Sequence, residues 1–520
     1  MGGGCAFFDA DGDGDQDLLC VGGRRWPWDD ASPSGGASTV SSSLALYLND
    51  GTGGFTNATA GSGLEANFYG QGVAVGDYDG DGRSDVYVSA VGPNHLYHNL
   101  GEGRFEEVTA SAGVAGGETD WGTSCGWLDY DRDGDLDLYV CNYVAWSREH
   151  DEAQNFQLTG GGRAYGRPQN FEGTFPLLFR NDGNGTFSDV TKPAGLQTRN
   201  PATDVPMAKG LGVTFADFNA DGWLDILMAN DTVQNFLYLN QQDGTFREVG
   251  ALAGIAFDMN GNARGAMGID AAYFRNDESL GVAIGNFANE MTALYVTRGD
   301  QLVFSDEAIS NGLGPNSRLQ LTFGLLYLDA DLDGRLDICA ANGHLEEEIH
   351  RVQPSQFYEQ APQLFWNCGP EFATEFVSLA STELGDSFLK PLVGRGSAFA
   401  DIDADGDLDV VLMNCGGRPR LLRNEQQLGH HWLRVRLQGA NTIGAMVEVD
   451  VDGRTLRRSI MPTRSYLSQS EAVATFGLGD STTIPSVRVI WPDGRTQRVP
   501  SPPLNETLVV KADAKDASAH

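Results

Sequence analysis

Short runs of four to seven apolar residues, separated by Gly, Asn and Asp, recur along the whole chain and have the spacing of β-strands. One phrase dominates: an apolar strand, then Asp-x-Asp-x-Asp-Gly-x-x-Asp, then a second apolar strand. Six copies begin at Asp9, Asp77, Asp129, Asp217, Asp329 and Asp401. No segment has the apolar spacing of an amphipathic helix of useful length. The pattern predicts an all-β chain of hairpins whose turns are acidic.

Two further strands follow each acidic hairpin. The third carries a motif close to Leu-Tyr-x-Asn, at residues 46–49, 96–99, 178–181, 237–240, 294–297, 364–367 and 421–424. The fourth begins with a phenylalanine, at Phe55, Phe105, Phe187, Phe246, Phe304 and Phe372. Repeats of four strands predict a β-propeller, in which each repeat forms one blade.

A degenerate copy, GIDAAYFRNDESLGVAIGNF, lies between the fourth and sixth units. It keeps the flanking strands but has Tyr273, Arg275, Asp277 and Gly281 where the other copies carry ligands. Residues 1–424 are therefore predicted to form a seven-bladed β-propeller whose fifth loop is empty. Seven units have only six Phe strands, so we expect the closing strand and a secretion signal ahead of Met1; an open seventh blade is the alternative.

The repeat ends after residue 424, and a second domain is expected in a chain of 520 residues. Short alternating strands over 425–511 predict a small β-sandwich-like domain, and 512–520 a flexible tail. No run of 18 apolar residues is present, so no membrane span is predicted.

Charge narrows the possible partners. The chain has 71 Asp and Glu against 35 Lys and Arg, for a net charge of −36. Such a surplus disfavours nucleic acid, whose phosphates require basic side chains. The acids are clustered in the repeated loops, which favours metal binding.

The loop pattern suits calcium, which takes six to eight oxygen ligands in flexible geometry. Acids at positions 1, 3, 5 and 9 are expected to converge, with glycine at position 6 for the turn and a carbonyl from position 7. An EF-hand is excluded because residues such as Val88 and Leu412 stand where its final Glu would be. About six calcium sites are predicted, formed by Asp9, Asp11, Asp13, Asp15 and Asp17; Asp77, Asp79, Asp81, Arg83 and Asp85; Asp129, Asp131, Asp133, Asp135 and Asp137; Asp217, Asn219, Asp221, Trp223 and Asp225; Asp329, Asp331, Asp333, Arg335 and Asp337; and Asp401, Asp403, Asp405, Asp407 and Asp409.

The C-terminal part differs in charge from the repeats. Residues 418–510 hold 12 Arg against 8 Asp and Glu, while the acidic surplus lies before them. Opposite charge and the absence of a linker predict that this domain docks on its own propeller, with an apolar contact involving Trp432.

Other motifs are weaker. Gly122-Thr-Ser-Cys-Gly126 matches a nucleophile elbow, but it lies in a strand rather than at a strand-to-helix turn. The run from His344 to His350 fits no zinc spacing and is expected to be a solvated charged segment. Two insertions, residues 145–176 and 343–362, are long for a compact domain and are the expected partner-binding surface.

The repeats resemble the FG-GAP/VCBS calcium loops of integrin α-chain propellers and of many secreted bacterial proteins. The segments HHWLRVRLQG, IGAMVEVDVDGRTLRRSI, SYLSQSEAVATFGLGD and VRVIWPDG resemble the ASPIC/UnbV domain that follows such repeats in the cartilage acidic protein family. The resemblance implies a secreted or cell-surface calcium-binding protein, with no chemistry to transfer.

We therefore expect an extracellular interaction or adhesion module with a protein or glycan partner, and no enzyme activity. Two alternatives remain open. A calcium-dependent polysaccharide lyase would need Lys, Arg or Tyr grouped with acids in a groove. A carbohydrate-binding protein would have an aromatic groove without that group.

Overall fold

A computed structural model describes residues 2–23, 42–159, 162, 164–298, 301–439 and 441–512. The predicted tail beyond residue 512 lies outside the described residues. Within them the chain is all-β, with six α-helices of seven residues or fewer and one 3-10 turn. These are Thr109–Ala112, Arg148–Gln154, Gly250–Ala253, Leu313–Ser317, Ile349–Val352, Ser381–Leu384 and the 3-10 turn Pro168–Asn170. None of the described helices has the length and apolar character needed to cross a membrane.

The repeats form a series of antiparallel sheets with the same strand order. Sheet 1 has β1 (Cys5–Phe8), β2 (Asp17–Val21), β3 (Leu44–Asn49) and β4 (Phe55–Asn57); sheet 2 has β5 (Tyr69–Gly76), β6 (Asp85–Val91), β7 (His95–Gly101) and β8 (Arg104–Glu107); sheet 3 has β9 (Gly122–Leu128), β10 (Asp137–Asn142), β11 (Leu177–Asn181) and β12 (Phe187–Asp189). Sheet 4 has β13 (Gly210–Ala216), β14 (Asp225–Asn230), β15 (Phe236–Asn240) and β16 (Phe246–Glu248); sheet 5 has β17 (Ala266–Ala272), β18 (Gly281–Asn286), β19 (Ala293–Arg298) and β20 (Gln301–Asp306). Sheet 6 has β21 (Thr322–Leu328), β22 (Asp337–Asn342), β23 (Gln363–Asn367) and β24 (Phe376–Ser378); sheet 7 has β25 (Gly394–Ala400), β26 (Asp409–Asn414) and β27 (Arg420–Leu422).

The sheets are arranged in a closed ring. The innermost strand of each sheet contacts the innermost strand of the next, and β25 contacts β1. Glycines allow this close approach. A Cβ at Gly212 would lie 2.1 Å from the Met267 carbonyl oxygen, and one at Gly268 would lie 1.9 Å from that of Phe323. The inner strands therefore meet backbone to backbone around a central axis.

The fourth strands follow a register rule that corrects one prediction. In sheets 1, 2, 3, 4 and 6 the asparagine that ends the third-strand motif pairs with the phenylalanine of the fourth strand, as Asn240 does with Phe246. In sheet 6 that partner is Phe376, opposite Asn367, so the prediction of Phe372 is wrong. Phe372 lies in a longer connection and is 58 % exposed. Sheet 7 has three strands within the described residues.

The C-terminal domain has two sheets around one core. β28 (His431–Gln438) lies between β33 (Val473–Gly479) and β36 (Thr507–Lys511) in the first. The second has the order β30 (Arg454–Ser459), β29 (Met446–Val451), β34 (Ser486–Ile490) and β35 (Thr496–Pro500). Leu433, Val447 and Phe476 are fully buried between the two sheets.

A hairpin of this domain fills the centre of the ring. Its strands are β31 (Thr463–Arg464) and β32 (Ser468–Gln469), and β32 runs parallel to β1 with Gln469 opposite Ala6. Its tip bonds to the inner strands of several sheets: Ser465 to Ile269 (2.8 Å), Leu325 (3.1 Å) and Ser397 (2.8 Å), and Leu467 to Val73 (3.2 Å) and Ser124 (3.0 Å). Tyr466 between them is fully buried. No pattern in the sequence predicted this insertion.

Candidate metal-binding loops

Six acidic loops join the first and second strands of sheets 1, 2, 3, 4, 6 and 7, and we number each loop after its sheet. They span residues 9–17, 77–85, 129–137, 217–225, 329–337 and 401–409. In each, the glycine at position 6 donates its N–H to Oδ2 of the aspartate at position 1, over 2.7–3.2 Å. That glycine has a φ between 88° and 101°, which favours glycine at this position. The motif thus turns the acidic side chains toward one another.

The aspartate at position 9 begins the second strand and is buried in every loop. Its two oxygens accept backbone N–H groups from position 2 of the loop and from the asparagine that ends the third-strand motif. In loop 4, for example, Phe218 donates to Asp225 over 2.9 Å and Asn240 over 2.8 Å. This aspartate therefore fixes the loop to its own sheet.

The side chain of that asparagine links neighbouring sheets. Asn240 Nδ2 donates to the Tyr130 carbonyl oxygen of loop 3 over 2.7 Å, and Asn49 Nδ2 donates to that of Ile402 in loop 7 over 2.8 Å. The third-strand motif was identified in the sequence, but the link that its asparagine makes between sheets was not. The carbonyl oxygen that accepts this bond lies a whole repeat away in the chain. In sheet 5 Thr297 takes this place and bonds to Leu280 of its own sheet.

The acids are close enough to share an ion. Single oxygen atoms of Asp9, Asp11 and Asp13 lie within 4.8 Å of one another, as do those of Asp77, Asp79 and Asp81; of Asp129, Asp131 and Asp137; and of Asp329, Asp331 and Asp333. In loop 2, His98 adds a nitrogen: its Nδ1 lies 3.1 Å from Asp85 and 3.3 Å from Asp79. This histidine, the variable residue of the third-strand motif, was not predicted.

Burial makes these carboxylates unfavourable as bare anions. Desolvation, reinforced by neighbouring acids, raises the pKa of Asp17 to about 7, of Asp85 to about 8 and of Asp137 to about 9. Desolvation also raises the pKa of Asp225 and the pKa of Asp329, each to about 8. A bound cation would offset the desolvation and the mutual repulsion.

A second observation points to a cation in three loops. Asp129, Asp329 and Asp401 are more than nine-tenths buried, and Oδ1 of each has no hydrogen-bond partner. Buried charged oxygens without partners are costly unless something compensates them. Carboxylate and carbonyl oxygens are the ligands that calcium takes, so the residues present fit calcium.

The C-terminal domain contacts the first aspartate of these same three loops, which we call the covered loops (3, 6 and 7). Asn441 Nδ2 donates to Asp129 Oδ2 over 3.0 Å, the Gly477 N–H donates to Asp329 Oδ2 over 3.0 Å, and Arg434 Nη1 lies 2.9 Å from Asp401 Oδ2. The C-terminal domain is therefore docked on the loop end of the ring.

Trp432, expected to form an apolar contact with the ring, lies against loop 7 at Gly406. A Cβ at Gly406 would come within 1.9 Å of its ring, so only a glycine leaves room for it.

Loops 1, 2 and 4, which we call the open loops, differ at position 1. Oδ1 of Asp9, Asp77 and Asp217 accepts an N–H from its own loop over 2.7, 3.0 and 3.0 Å. These three aspartates are half-buried. The C-terminal domain reaches two of these loops away from the first aspartate: Arg436 bonds to the Gly14 carbonyl oxygen of loop 1 over 2.9 Å, and a Cβ at Gly444 would lie 2.8 Å from Leu224 of loop 4.

The fifth loop carries an ion-pair network instead of an acid cluster. Arg275 lies 2.7 Å from Glu375 and 2.8 Å from Glu307. The C-terminal domain also reaches this loop, where Arg457 donates to the Asp277 carbonyl oxygen over 3.1 Å. The expectation that this loop binds no calcium stays a prediction.

The two weaker motifs are structural. Ser124 is buried in β9, where its Oγ donates to the Leu211 carbonyl oxygen (2.6 Å) and accepts the Leu467 N–H (3.0 Å). The prediction of a solvated segment is wrong for His344, which is 3 % exposed. Burial, and then the positive charge of Arg395, lower the pKa of His344 to about 4.

A cavity of about 520 Å³ lies between the ring and the C-terminal domain. Its wall includes acids and arginines, the grouping that a lyase would need. Three of these arginines are already engaged: Arg457 with Glu448 (3.0 Å), Arg464 with Asp270 (3.2 Å) and Arg458 with the Gly334 carbonyl oxygen (3.1 Å). Burial raises the pKa of Tyr273 on the same wall.

Family models match both parts of the chain. A model described as FG-GAP-like repeat matches residues 9–88, 77–140, 170–228 and 217–284, and one described as ASPIC and UnbV matches 437–517. Cartilage acidic protein 1 from Homo sapiens is 25 % identical over 483 residues, which cover 84 % of this chain and 62 % of that protein. The Xenopus tropicalis protein is 25 % identical, with 86 % and 65 % covered. The chain thus spans less than two thirds of the length of these relatives.

Solved structures with weaker likeness include two lectins and a lyase. An Agrocybe aegerita lectin that recognises terminal N-acetylglucosamine has a TM-score of 0.44 and 15 % identity, covering 73 % of this chain and 88 % of the lectin. The six-bladed β-propeller lectin of Aleuria aurantia has a TM-score of 0.36 and 11 % identity, with 73 % and 95 % covered. Rhamnogalacturonan lyase YesW has a TM-score of 0.35 and 12 % identity, with 79 % and 70 % covered.

Proposed function

We propose that this chain, which contains FG-GAP-like repeats and an ASPIC and UnbV domain, is a calcium-binding interaction or adhesion module that acts outside the cell. The ring is interpreted as a seven-bladed β-propeller and the C-terminal domain as a β-sandwich-like cap. Six loops hold calcium, which fixes the loop end of the ring. The observation that carries this proposal is the buried, unpartnered Oδ1 of Asp129, Asp329 and Asp401.

In this proposal each ion is held by carboxylates at positions 1, 3, 5 and 9 and by the position-7 carbonyl. Asn219 takes position 3 in loop 4. The position-7 residues Arg83, Trp223 and Arg335 contribute backbone only; Arg335 directs its side chain to Asp333 and Glu371. Calcium supplies charge compensation, and the protein supplies oxygens already turned toward one centre.

The partner surface is proposed at the opposite end of the ring, where the two insertions lie. They touch each other: the Tyr165 N–H donates to Glu346 Oε1 over 2.8 Å. Tyr165 is 66 % exposed and Phe357 is 59 % exposed. Exposed aromatic rings on adjoining insertions are typical of recognition surfaces. Because the C-terminal domain covers the loop end, this end is the one left for a large partner.

A carbohydrate-binding function is the second candidate, and the same exposed Tyr165 favours it, since an aromatic face can stack on a sugar. The engaged arginines of the interdomain cavity favour a non-catalytic protein over a lyase. Incubation with uronic-acid polysaccharides should give no unsaturated product by ultraviolet absorbance. A glycan array that compares wild type with Tyr165→Ala would reveal a sugar ligand.

The calcium proposal is tested by stoichiometry. Chelator-stripped protein, dialysed against calcium and analysed by elemental mass spectrometry, should hold about six ions. Asp217→Ala should remove one ion, and Asp277→Ala, in the fifth loop, should remove none. Fewer than four ions in the wild type would contradict the proposal.

A further inference from the structure

We propose that loops 3, 6 and 7 are interdomain calcium sites, at which the C-terminal domain holds the first aspartate for the ion and the ion in turn fixes the C-terminal domain to the ring. This inference rests on the proposed calcium function and divides the six loops into two kinds. At the open loops 1, 2 and 4, the described part of the C-terminal domain makes no bond to the first aspartate, so the ion there depends less on that domain.

The argument starts from the oxygens of the first aspartate. In all six loops Oδ2 accepts the N–H of the position-6 glycine. In the covered loops a donor from the C-terminal domain approaches the same Oδ2, and Oδ1 is left without a partner. In the open loops an N–H of the loop itself occupies Oδ1. Where the C-terminal domain contacts the first aspartate, the carboxylate of that aspartate therefore has one oxygen available to a cation.

Loop 3 shows the closest relation between the two domains. Asn441 uses its Nδ2 on Asp129, and its Oδ1 is buried with no hydrogen-bond partner. Two residues in direct contact, one from each domain, thus each have a buried oxygen without a partner. An asparagine carbonyl oxygen is an ordinary calcium ligand. Asn441 is the residue through which the C-terminal domain contributes to the loop 3 ion.

Loop 6 is joined to the C-terminal domain by backbone. The Gly479 N–H donates to the Leu332 carbonyl oxygen over 2.9 Å, beside the bond from Gly477 to Asp329. A Cβ at Gly477 would lie 2.3 Å from the Leu332 backbone, so the backbones of loop 6 and β33 are in contact. An ion that orders loop 6 therefore orders the edge of β33 as well.

The experiment uses the full chain, stripped of calcium and titrated by isothermal titration calorimetry, with amide hydrogen exchange read at both end points. Calcium should slow exchange in the peptide that contains Gly477 and Gly479. It should leave exchange at residues 487–489 unchanged, because their strand pairs only within the C-terminal domain.

Asn441→Ala tests the shared ion directly. We expect one ion of the six to bind about tenfold more weakly, as for loss of a contact to a charged group. The matched control is Gln242→Ala, which removes an amide donor to Asp221 of open loop 4 (3.1 Å) from within the ring. It should leave the exchange of the C-terminal domain unchanged with and without calcium.

Asn441→Asp distinguishes a ligand from a packing residue. If residue 441 is a ligand, the added carboxylate should make the loop 3 ion bind more tightly than in the wild type. The contact between the C-terminal domain and loop 3 should then be weaker only in the absence of calcium. A packing role predicts weaker binding or no change. Six ions of unaltered affinity in Asn441→Ala, with calcium-independent exchange at residues 473–479, would overturn the interdomain sites and leave the calcium function standing. Absence of any bound ion in the wild type would overturn both.

Discussion

Loops 4 and 6 share the bond from the position-6 glycine to the first aspartate and the bond from position 2 to the ninth, yet their surroundings differ. Asp329 of loop 6 is 1 % exposed and faces the C-terminal domain, whereas Asp217 of loop 4 is half-buried and bonds only within its loop. The motif specifies the turn, but tertiary contacts decide how its first carboxylate is compensated. Two loops with the same motif can therefore differ in how their first carboxylate would bind an ion.

The largest expected effect is removal of all calcium. Sites with dissociation constants of roughly 0.1–1 mM would each contribute about 0.4–1.4 kcal/mol at millimolar calcium. Six such sites would sum to several kcal/mol. Differential scanning calorimetry in excess chelator should show a clearly lower melting temperature. If the covered loops bind more tightly, their ions should be the last to leave during chelator titration. An unchanged thermogram would contradict bound calcium in both groups of loops.

Gly477→Ala acts on one covered loop alone. The added Cβ would lie 2.4 Å from Asp329 Oδ2, so the C-terminal domain must shift away from loop 6. Overpacking of this kind costs about 1–3 kcal/mol. We expect a lower melting temperature and weaker binding of one ion. The control is Gly439→Ala, where the nearest atom is 3.3 Å away. Equal effects of the two variants would contradict the contact at loop 6.

Asn240→Ala tests how an open and a covered loop are connected. Its side chain belongs to sheet 4, but it bonds to the Tyr130 carbonyl oxygen of loop 3. Leaving that buried carbonyl without a donor should cost about 1–3 kcal/mol. Because the same Nδ2 also donates to the Leu224 carbonyl oxygen of loop 4 over the longer distance of 3.3 Å, calorimetry should show weaker binding of the loop 3 ion and a smaller loss at loop 4. Thr297→Ala, at the same place in sheet 5, should leave ion binding unaffected because Thr297 bonds within its own sheet.

The smallest expected effect is the pH dependence. Without metal, the folded protein keeps protons on acids such as Asp225, with a pKa of about 8, whereas the unfolded chain releases them near pH 4. The folded state therefore binds more protons between about pH 4 and pH 8, and its stability falls as pH rises through that window. Calcium displaces those protons. The gain in melting temperature on adding calcium should be greater at pH 8 than at pH 5.5; an equal gain would contradict proton–calcium competition.

Much of the fold followed from local patterns. The hairpins, the third-strand motif and the degenerate fifth loop depend on residues close in sequence, and a repeat shows them several times. Phe372 was misplaced because the connection before β24 is longer than in the other sheets. Burial of His344 was missed because a single charged run does not show what packs on it.

The covered sites could not be predicted because they join residues far apart in the chain. Asn441 and Asp129 are separated by 312 positions, and no periodic pattern relates them. The charge difference between the two parts predicted docking, but not which loops would be covered. Nor could it predict a hairpin whose short strands carry no distinctive pattern.

That hairpin has a consequence for biosynthesis. β1 lies beside β32, and Cys5 bonds to Ser468 across 463 positions, so the first sheet receives its innermost neighbour only when the last domain has been made. At about 5–20 residues per second, a ribosome needs roughly 20–90 s to cover that distance. During this time the apolar inner edge of the ring is bare. We therefore expect the inner edge of the first sheet to stay unpaired until the C-terminal domain emerges.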